Sequence, residues 1–198
     1  MTRIIGIAGS LRRGSFNAAL LRAAQEFVPA GARLDIESIA DIPLYNYDME
    51  VNGIPEPVAR LKDNIAAANG LLIATPEYNN SIPGVAKNAI DWLTRPPADI
   101  PRVFRAKPVA VMGASPGRFG TVMSQNAWLP VLRTLGTRPW FGGRLLVSQA
   151  GQMFDADGRL TNEMVRGLLR DFVGGFFEFA GPAAPSPSAP QPSSGHQL

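Results

Sequence analysis

Short apolar runs alternate with segments of helical periodicity along most of the chain. The apolar runs occupy residues 3–8, 71–74, 109–112 and 145–147, and a weaker run, in which apolar and polar residues alternate, covers residues 34–37. Apolar runs of this length that end at glycine, serine or proline are typical of buried strands. Strands that alternate with helices predict an α/β domain with a mostly parallel sheet whose two faces are covered by helices.

Between these runs, apolar side chains recur every three or four residues, which predicts amphipathic helices. The predicted apolar faces are Phe16, Leu20, Ala24 and Phe27; Val58, Leu61, Ile65 and Ala68; Val85, Ala89 and Leu93; and Val165, Leu168, Leu169, Phe172 and Phe176. A less regular candidate helix, residues 123–135, is interrupted by Pro130. We therefore expect five strands and about five helices in alternation.

The composition changes at Gly181. Residues 181–198 read GPAAPSPSAPQPSSGHQL, with a proline every few residues and no apolar periodicity. Such a segment cannot bury enough apolar surface to offset its conformational entropy. We expect one folded domain over residues 1–180 and a disordered Pro/Ser-rich tail over residues 181–198.

Cysteine is absent, and the single histidine, His196, lies in this tail. The absence of cysteine excludes disulfides, thiolate nucleophiles, iron–sulfur ligation and cysteine-based zinc sites. A Ser-His-Asp triad and a histidine-rich metal site would lack their central residue. We expect no metal site, and we expect a bound cofactor to carry any demanding chemistry.

The net charge is +3, but lysine and arginine are spread along the chain with no run longer than Arg12-Arg13. Nucleic-acid binding usually requires a basic patch, so we expect no nucleic-acid partner. No stretch approaches the roughly 18 consecutive apolar residues of a membrane span, and the N-terminus reads directly into a predicted strand rather than a signal peptide. We expect a cytoplasmic protein without membrane association.

Hydroxyl and guanidinium groups cluster where the first predicted strand passes into a helix. Residues 9–17 read GSLRRGSFN, and the N-terminus of a helix attracts anions through its unpaired N–H groups and its dipole. A phosphate site is one interpretation. In the other, Ser15 only caps the helix, and Arg12 and Arg13 are solvated. The segment lacks the Lys-Ser/Thr of a Walker A loop and does not match G-x-G-x-x-G, so neither triphosphate hydrolysis nor a Rossmann dinucleotide site is expected.

Two further loops follow predicted strands. Residues 75–84, TPEYNNSIPG, hold polar side chains between two prolines, where amides and a phenol can face a flat ligand. In the alternative interpretation Pro76 only ends the strand, and Ser81 or Pro83 only begins the next helix. Residues 113–121 contain three glycines, which allow backbone to approach a ligand closely. Ligands of open parallel sheets bind beyond the carboxyl ends of the strands, so the three loops together predict the site.

The match to a known family rests on the types and order of these residues. The chain closely resembles the NAD(P)H-dependent FMN reductase family in Ser15, Asn17, GSLR at 9–12, PEYN at 76–79, SIPG at 81–84 and KNAIDW at 87–92. The family includes quinone, chromate and azo-dye reductases, and the resemblance covers roughly residues 3–180. It implies a flavodoxin-like three-layer sandwich, in which a five-stranded parallel sheet of order 2-1-3-4-5 carries helices on both faces.

The resemblance implies FMN as the cofactor and NADPH or NADH as the co-substrate. It places the FMN phosphate at Ser10, Arg12, Ser15 and Asn17, and the isoalloxazine ring against Pro76, Glu77, Tyr78, Asn79, Ser115 and Gly117. No side chain is expected to act as an acid or a base, since the flavin carries the chemistry. The usual assembly of the family implies a homodimer or homotetramer, with Trp92 near the subunit boundary and partly exposed in a monomer.

The implied function is reduction of the flavin by NAD(P)H and then transfer of two electrons to a quinone, azo compound or metal oxyanion, in a ping-pong cycle. The alternative is a flavodoxin-like electron carrier or a flavin-binding regulatory protein without nicotinamide turnover. Arg12 and the positive net charge disfavour the carrier, because true flavodoxins usually have an arginine-free phosphate loop and an acidic surface. A further alternative is a phosphate-binding regulatory domain without flavin.

Two features of the site stay open at this point. Residues 43–50, PLYNYDME, either border the acceptor pocket or form an ordinary strand-to-helix loop. Preference for NADPH requires a basic side chain at its 2′-phosphate, and Arg13, Arg118 or neither could supply it.

Overall fold

A parallel sheet organises residues 1–181, which are the residues that the computed structural model describes. The sheet has the strand order β2-β1-β3-β4-β5, and β6 pairs with the carboxyl end of β4. The strands are β1 (Thr2–Ala8), β2 (Ala32–Glu37), β3 (Gly70–Ala74), β4 (Pro108–Ala114), β5 (Arg138–Pro139) and β6 (Leu146–Val147). The helices are α1 (Phe16–Gln25), α2 (Tyr47–Glu50), α3 (Glu56–Ala67), α4 (Gly84–Leu93), α5 (Ile100–Phe104), α6 (Val122–Thr134) and α7 (Glu163–Ala180).

Helices cover both faces of the sheet, and each strand contributes to both cores because its successive side chains point to opposite faces. Ile4 of β1 packs with α1 and α7 in one apolar cluster, whereas Ile5 and Ile7 pack with α3, α4, α5 and α6 in the other. Each of these isoleucines is at most 1% exposed. Burial of a side chain of this size stabilises the fold by roughly 1.5–3 kcal/mol, so the near-continuous apolar runs produce the two-sided core.

The predicted three-layer, flavodoxin-like architecture and the strand order 2-1-3-4-5 are confirmed. All four strongly periodic segments are helices, and the less regular one is helix α6. Helix α6 continues through Pro130, whose side chain is exposed. The short helices α2 and α5 escape prediction, because four or five residues are too few to display a helical period.

The prediction of a single fifth strand at residues 145–147 needs correction. Two minor strands share this edge of β4: β5 pairs with Pro108–Val109, and β6 pairs with Gly113–Ala114. The sequence gives no sign of β5, because an Arg-Pro pair has neither apolar alternation nor β propensity.

The prediction that Trp92 is partly exposed is wrong. Its side chain is 0% exposed, and its indole N–H donates to the carbonyl of Pro43 at 2.9 Å. The rings of Trp92 and Tyr45 lie edge-to-face, with 5.1 Å between their centres. The chain before α2 folds back over α4 and covers Trp92 within the same subunit. A subunit boundary is therefore not needed to explain this tryptophan.

The predicted disordered tail, with His196, lies outside the described residues apart from Gly181. Gly181 is the C-cap of α7, and its N–H donates to the carbonyls of Phe177 and Glu178. Among the helices of residues 1–181, none has the length and apolar character that crossing a bilayer requires.

Candidate functional site

The carboxyl ends of β1, β3 and β4 lie side by side at one edge of the sheet. Strand β2 pairs with one side of β1 and β3 with the other, so the strand order reverses between β1 and β3. Ligands of open α/β sheets bind at this switch point. Three loops begin there: loop 1 (residues 9–15), loop 2 (residues 75–83) and loop 3 (residues 115–121).

Loops 1 and 2 are packed tightly against each other. The N–H of Gly9 donates to the carbonyl of Ala74 at 2.8 Å, and a Cβ atom added to Gly9 would lie 3.1 Å from Cδ of Pro76. The hydroxyl of Tyr78 donates to Oγ of Ser10 at 3.4 Å. The structure thus brings Ser10 and residues 76–78 together, as the two loop predictions require, and glycine at position 9 permits this close approach.

Loop 1 offers unpaired donors at the N-terminus of α1. Ser15 is 3% exposed and caps the helix, since its Oγ accepts from the N–H of Ala18 at 3.2 Å. Within residues 1–181, no acceptor receives the backbone N–H of Phe16 or Asn17. The Arg12 side chain is exposed, and its guanidinium lies 5.3 Å from the centre of the Phe16 ring. Free amides, a helix dipole and an exposed cation in one place suit a phosphate.

Asn17 faces away from the open side of loop 1. Its side chain is 2% exposed, donates to the carbonyl of Ala114 at 2.9 Å and accepts from the N–H of Ala114 at 2.9 Å. The carboxamide therefore ties the start of α1 to the end of β4. This placement leaves the backbone N–H of Asn17, rather than its side chain, available to an anion.

Loop 2 turns through a tight hairpin. Tyr78 and Ser81 exchange two backbone hydrogen bonds of 3.2 and 3.0 Å, and between them Asn79 and Asn80 have φ angles of 50° and 60°. Two successive left-handed residues make a type I′ turn, for which asparagine is among the favoured residues. Pro76 at the base of the loop is buried, whereas Tyr78 and Asn79 are exposed. The turn presents the Tyr78 ring and the tip of the loop to solvent beside loop 1.

Glu77 fastens loop 2 to the helix that follows loop 3. Its Oε2 accepts from the backbone N–H groups of Met123 at 2.7 Å and Ser124 at 3.0 Å, in the first turn of α6. Thr121, the N-cap residue of α6, makes no capping hydrogen bond through its side chain. A carboxylate at this position also complements the helix dipole. No local pattern reveals this cap, because its two partners are 46 and 47 residues away.

We expect Glu77→Ala to lower the free energy of unfolding by about 1–2 kcal/mol, as loss of a helix N-cap does. Glu77→Gln keeps one acceptor oxygen and should recover part of the loss. Urea unfolding without added ligand measures the effect. Glu178→Ala is the matched control, since it removes an exposed carboxylate from α7 that makes no side-chain hydrogen bond within residues 1–181. A Glu77→Ala variant as stable as the parent would contradict the capping role.

Loop 3 is held by a fourth loop, which no sequence pattern predicts. The N–H of Ser115 donates to the carbonyl of Val147 at 2.9 Å, and its Oγ donates to the carbonyl of Gly120 at 2.7 Å. Gln149, just after β6, donates its N–H to the carbonyl of Gly117 at 2.9 Å. Gln149 has a φ of 48°, which is unusual for a residue with a long side chain. A serine–glutamine pair after a short strand carries no recognisable signal in the sequence.

The segment at residues 43–50 is fixed against α4. The N–H of Tyr45 donates to Oδ1 of Asn88 at 2.8 Å, and the Tyr45 hydroxyl donates to Glu50 at 2.7 Å. That hydrogen bond to a carboxylate raises the pKa of Tyr45, with a further contribution from burial. The Arg95 guanidinium lies 5.4 Å from the centre of the Tyr45 ring.

The predicted residues thus fall into three groups. The first group belongs to the neighbouring loops 1 and 2 and consists of Ser10, Arg12, Ser15, Pro76, Tyr78 and Asn79. Glu77, Asn17 and Ser115 use their side chains to join the loops and strands to one another. Gly117 is exposed in loop 3, whose tip also carries the exposed Arg118 and Phe119. The arrangement suits a ligand that carries a phosphate at one end.

The chain is similar to known proteins over most of its length. Residues 2–152 match a family described as NADPH-dependent FMN reductase. An NAD(P)H-dependent FMN reductase of Pseudomonas aeruginosa is 45% identical over 168 residues, which cover 85% of this chain and 89% of that protein. A 2-hydroxy-1,4-benzoquinone reductase of a Burkholderia species is 37% identical over 171 residues, which cover 86% of this chain and 92% of that protein.

A solved structure extends the similarity to three dimensions. The flavoenzyme FerB, an NAD(P)H:acceptor oxidoreductase of Paracoccus denitrificans, superposes with a TM-score of 0.81 at 34% identity, over 91% of this chain and 97% of that chain. The resemblance predicted from the loop motifs is thereby confirmed. The chain belongs to the NADPH-dependent FMN reductase family.

Proposed function

We propose that this protein uses NAD(P)H to reduce quinones, and also azo compounds or metal oxyanions, in a ping-pong sequence in which the nicotinamide leaves before the acceptor binds. FMN supplies the redox chemistry when bound, since it can take up a hydride and pass on two electrons. The observation that carries the proposal is the anion cradle at the start of α1, beside loops that are joined to one another at the switch point of the sheet.

The cradle fits the phosphate of FMN. The unpaired N–H groups of Phe16 and Asn17 and the guanidinium of Arg12 would hold it, while Ser15 keeps the helix end in place. On the ring side, loop 2 and Ser115 and Gly117 of loop 3 would border the isoalloxazine. The contacts of Glu77 with α6 and of Asn17 with β4 keep these loops in position before the cofactor arrives.

No side chain needs to act as an acid, base or nucleophile in this proposal. The roles of the protein are to bind the cofactor, to orient it and to leave one face open. We place the acceptor beside residues 43–50, since the edge-to-face contact of Tyr45 with Trp92 and the hydrogen bonds of Asn88 hold this segment next to the helix that follows loop 2. The names of the Burkholderia relative and of quinone reductases from Pseudomonas putida and Escherichia coli support a quinone as the acceptor.

The assembly that we propose is a homodimer or homotetramer. Several large apolar side chains near residues 43–51 are exposed, among them Leu44 at 80%, Tyr47 at 65% and Val51 at 62%. A cluster of this kind on the surface of a subunit is typical of an interface. Light scattering of the purified protein tests the proposal, and a monomer at micromolar concentration would contradict it.

The experiment that tests the function follows the oxidation of NADH and NADPH by the FMN-loaded protein, with and without a benzoquinone. We expect rapid oxidation with at least one nicotinamide only when the quinone is present in excess, and parallel lines in double-reciprocal plots. Protein that binds FMN but is not reduced by either nicotinamide would support a carrier or a regulatory protein instead. Protein that binds no FMN would contradict both flavin-dependent functions.

Arg12→Ala tests the phosphate end of the site. We expect the dissociation constant for FMN to rise about 10- to 150-fold, which corresponds to the 1.5–3 kcal/mol or so of a hydrogen bond to a charged group. Quenching of flavin fluorescence measures the affinity. Arg60→Ala removes an exposed guanidinium from α3, far along the chain from loop 1, and should leave the affinity unchanged. If Arg12→Ala and the parent bind FMN with equal affinity, Arg12 is a solvated surface residue and does not contact the phosphate.

A further inference from the structure

An aromatic groove lies at the β5–β6 edge of the sheet, apart from loops 1, 2 and 3. Its volume is about 240 Å³, and its walls include Leu129 of α6 and Pro139, Trp140 and Phe141 after β4. Phe141 is 74% exposed and Leu129 is 41% exposed. A large exposed aromatic ring beside a half-buried tryptophan is typical of a binding surface.

The backbone of β4 is open to this groove. Strand β5 pairs with Pro108–Val109 and β6 with Gly113–Ala114, so within residues 1–181 the middle of β4 has no strand partner on this side. The carbonyl of Val109 accepts from the N–H of Trp140, and the N–H of Gly113 donates to the carbonyl of Leu145, so both residues turn their peptide groups toward this edge. Because peptide groups alternate along a strand, the N–H and carbonyl of Val111, midway between them, also face this edge. Val111 lines the groove. An exposed gap of this kind in a sheet edge is usually covered by another segment of chain.

The groove also carries hydrogen-bond donors. The side chains of Asn126 and Arg144, which line it, carry N–H groups. Grooves in which aromatic rings alternate with such donors recognise proline-rich segments, because the rings pack on proline and the donors meet its carbonyl oxygens. The groove therefore has the chemistry that a proline-rich partner requires.

We propose that this groove binds the proline-rich sequence at residues 182–192 of the same chain. That sequence, PAAPSPSAPQP, contains two Pro-x-x-Pro units and no charged residue, and so matches an apolar, aromatic surface. The inference goes beyond the proposed reductase function, because the groove lies outside loops 1, 2 and 3.

The proline-rich sequence begins within reach of the groove. A Cβ atom added to Gly181, the last described residue, would lie 3.9 Å from Oγ1 of Thr2 in β1, two strands away from β4. The Arg138 guanidinium donates to the carbonyl of Phe179 at 2.9 Å and lies 4.3 Å from the centre of its ring. Pro139 and Trp140, which follow Arg138 directly, already belong to the groove. Only two residues separate Phe179 from Pro182, and an extended proline-rich chain advances about 3 Å per residue, so residues 182–192 can reach the groove. Tethering raises the local concentration to the millimolar range, so a weak contact is enough.

The absence of cysteine allows a direct test in the full chain. A nitroxide label on the single cysteine of Ser188→Cys broadens the amide signals of nearby residues in ¹⁵N-labelled protein, and the reduced label gives the reference. We expect the loss of signal to be concentrated at Asn126, Val111 and residues 141–144. Adding Phe141→Ser should remove this pattern, whereas Ile36→Ser, at an exposed apolar residue on the opposite edge of the sheet, should not.

Two outcomes would overturn the proposal. One is signal loss that is spread evenly over the surface or centred on another region. The other is the same pattern of broadening in a mixture of two proteins, one that carries the nitroxide but no ¹⁵N and one that carries ¹⁵N but no nitroxide. That result would mean that the groove binds the segment of a second copy.

Discussion

Protein freed of FMN is expected to show no NAD(P)H-dependent reduction of quinone, and addition of FMN is expected to restore the activity fully. The chain contains no cysteine, and its single histidine lies at position 196, outside residues 1–181. Within residues 1–181, no group of three or more His, Cys, Asp or Glu side chains could hold a metal ion. None of the side chains at loops 1, 2 and 3 can accept a hydride, so the activity should depend wholly on the flavin.

The measurement compares NAD(P)H oxidation by FMN-free protein before and after titration with FMN, against a blank of FMN without protein. Riboflavin is the matched control, because it has the same ring and lacks the phosphate. Two or more charge-assisted hydrogen bonds at the start of α1 would be lost, so riboflavin should restore activity only at concentrations at least about 100-fold higher. Turnover without flavin would contradict the proposed function. Equal effectiveness of riboflavin and FMN would contradict only the phosphate site.

The central sheet was predictable from the sequence because a strand buried on both faces must be apolar at nearly every position. Strand β3, for example, is buried along its whole length, Gly70–Ala74, and the matching run of apolar residues is plain. Strand β5 could not be predicted, since Arg138 and Pro139 pair with β4 only because the chain after α6 passes its edge. Elements of two to five residues are defined by their tertiary contacts, which a local pattern does not contain.

The site was predictable as a set of loops, but not as a set of contacts. Residue type and position at a helix start suffice to predict a cap at Ser15, and that cap is present. The partners of Asn17 and Glu77 lie 97 and 46 residues away, so their roles depend on the order of the strands. Polar side chains that were assigned to a ligand can instead hold loops together, and only the fold distinguishes the two roles.

Gly113 is the position where a small change should have the largest effect on stability. The sequence assigns it to a loop that approaches a ligand, yet it lies within β4 and approaches other protein atoms. A Cβ atom at Gly113 would lie 2.1 Å from Oγ1 of Thr121 and 2.3 Å from the backbone carbonyl oxygen of Thr75. The oxygen of Thr75 cannot move easily, because the N–H of the same residue donates to Met112 of β4 at 2.9 Å.

We expect Gly113→Ala to lower the free energy of unfolding by more than about 3 kcal/mol, at the upper end of the cost of overpacking. Urea unfolding measures it. Gly174→Ala is the matched control, since a Cβ there meets nothing within 4 Å, and alanine in the middle of α7 should stabilise the protein by about 0.5–1 kcal/mol. A Gly113→Ala variant with the same free energy of unfolding as the parent would mean that β3 and β4 can separate at this point.

A second substitution distinguishes the two clashes of Gly113→Ala. Thr121→Ala removes the hydroxyl at 2.1 Å but leaves the carbonyl of Thr75 at 2.3 Å and Cβ of residue 121 at 2.9 Å, so it should restore only a minor part of the lost stability. Thr75 precedes Pro76 of loop 2, and Thr121 is the N-cap of α6, which Glu77 holds. Relief of the clash with the carbonyl of Thr75 should push loop 2 away from loop 3. The double variant should therefore still bind FMN more weakly than the parent, whereas full recovery of FMN affinity would show that the Thr75 carbonyl does not fix the spacing of these loops.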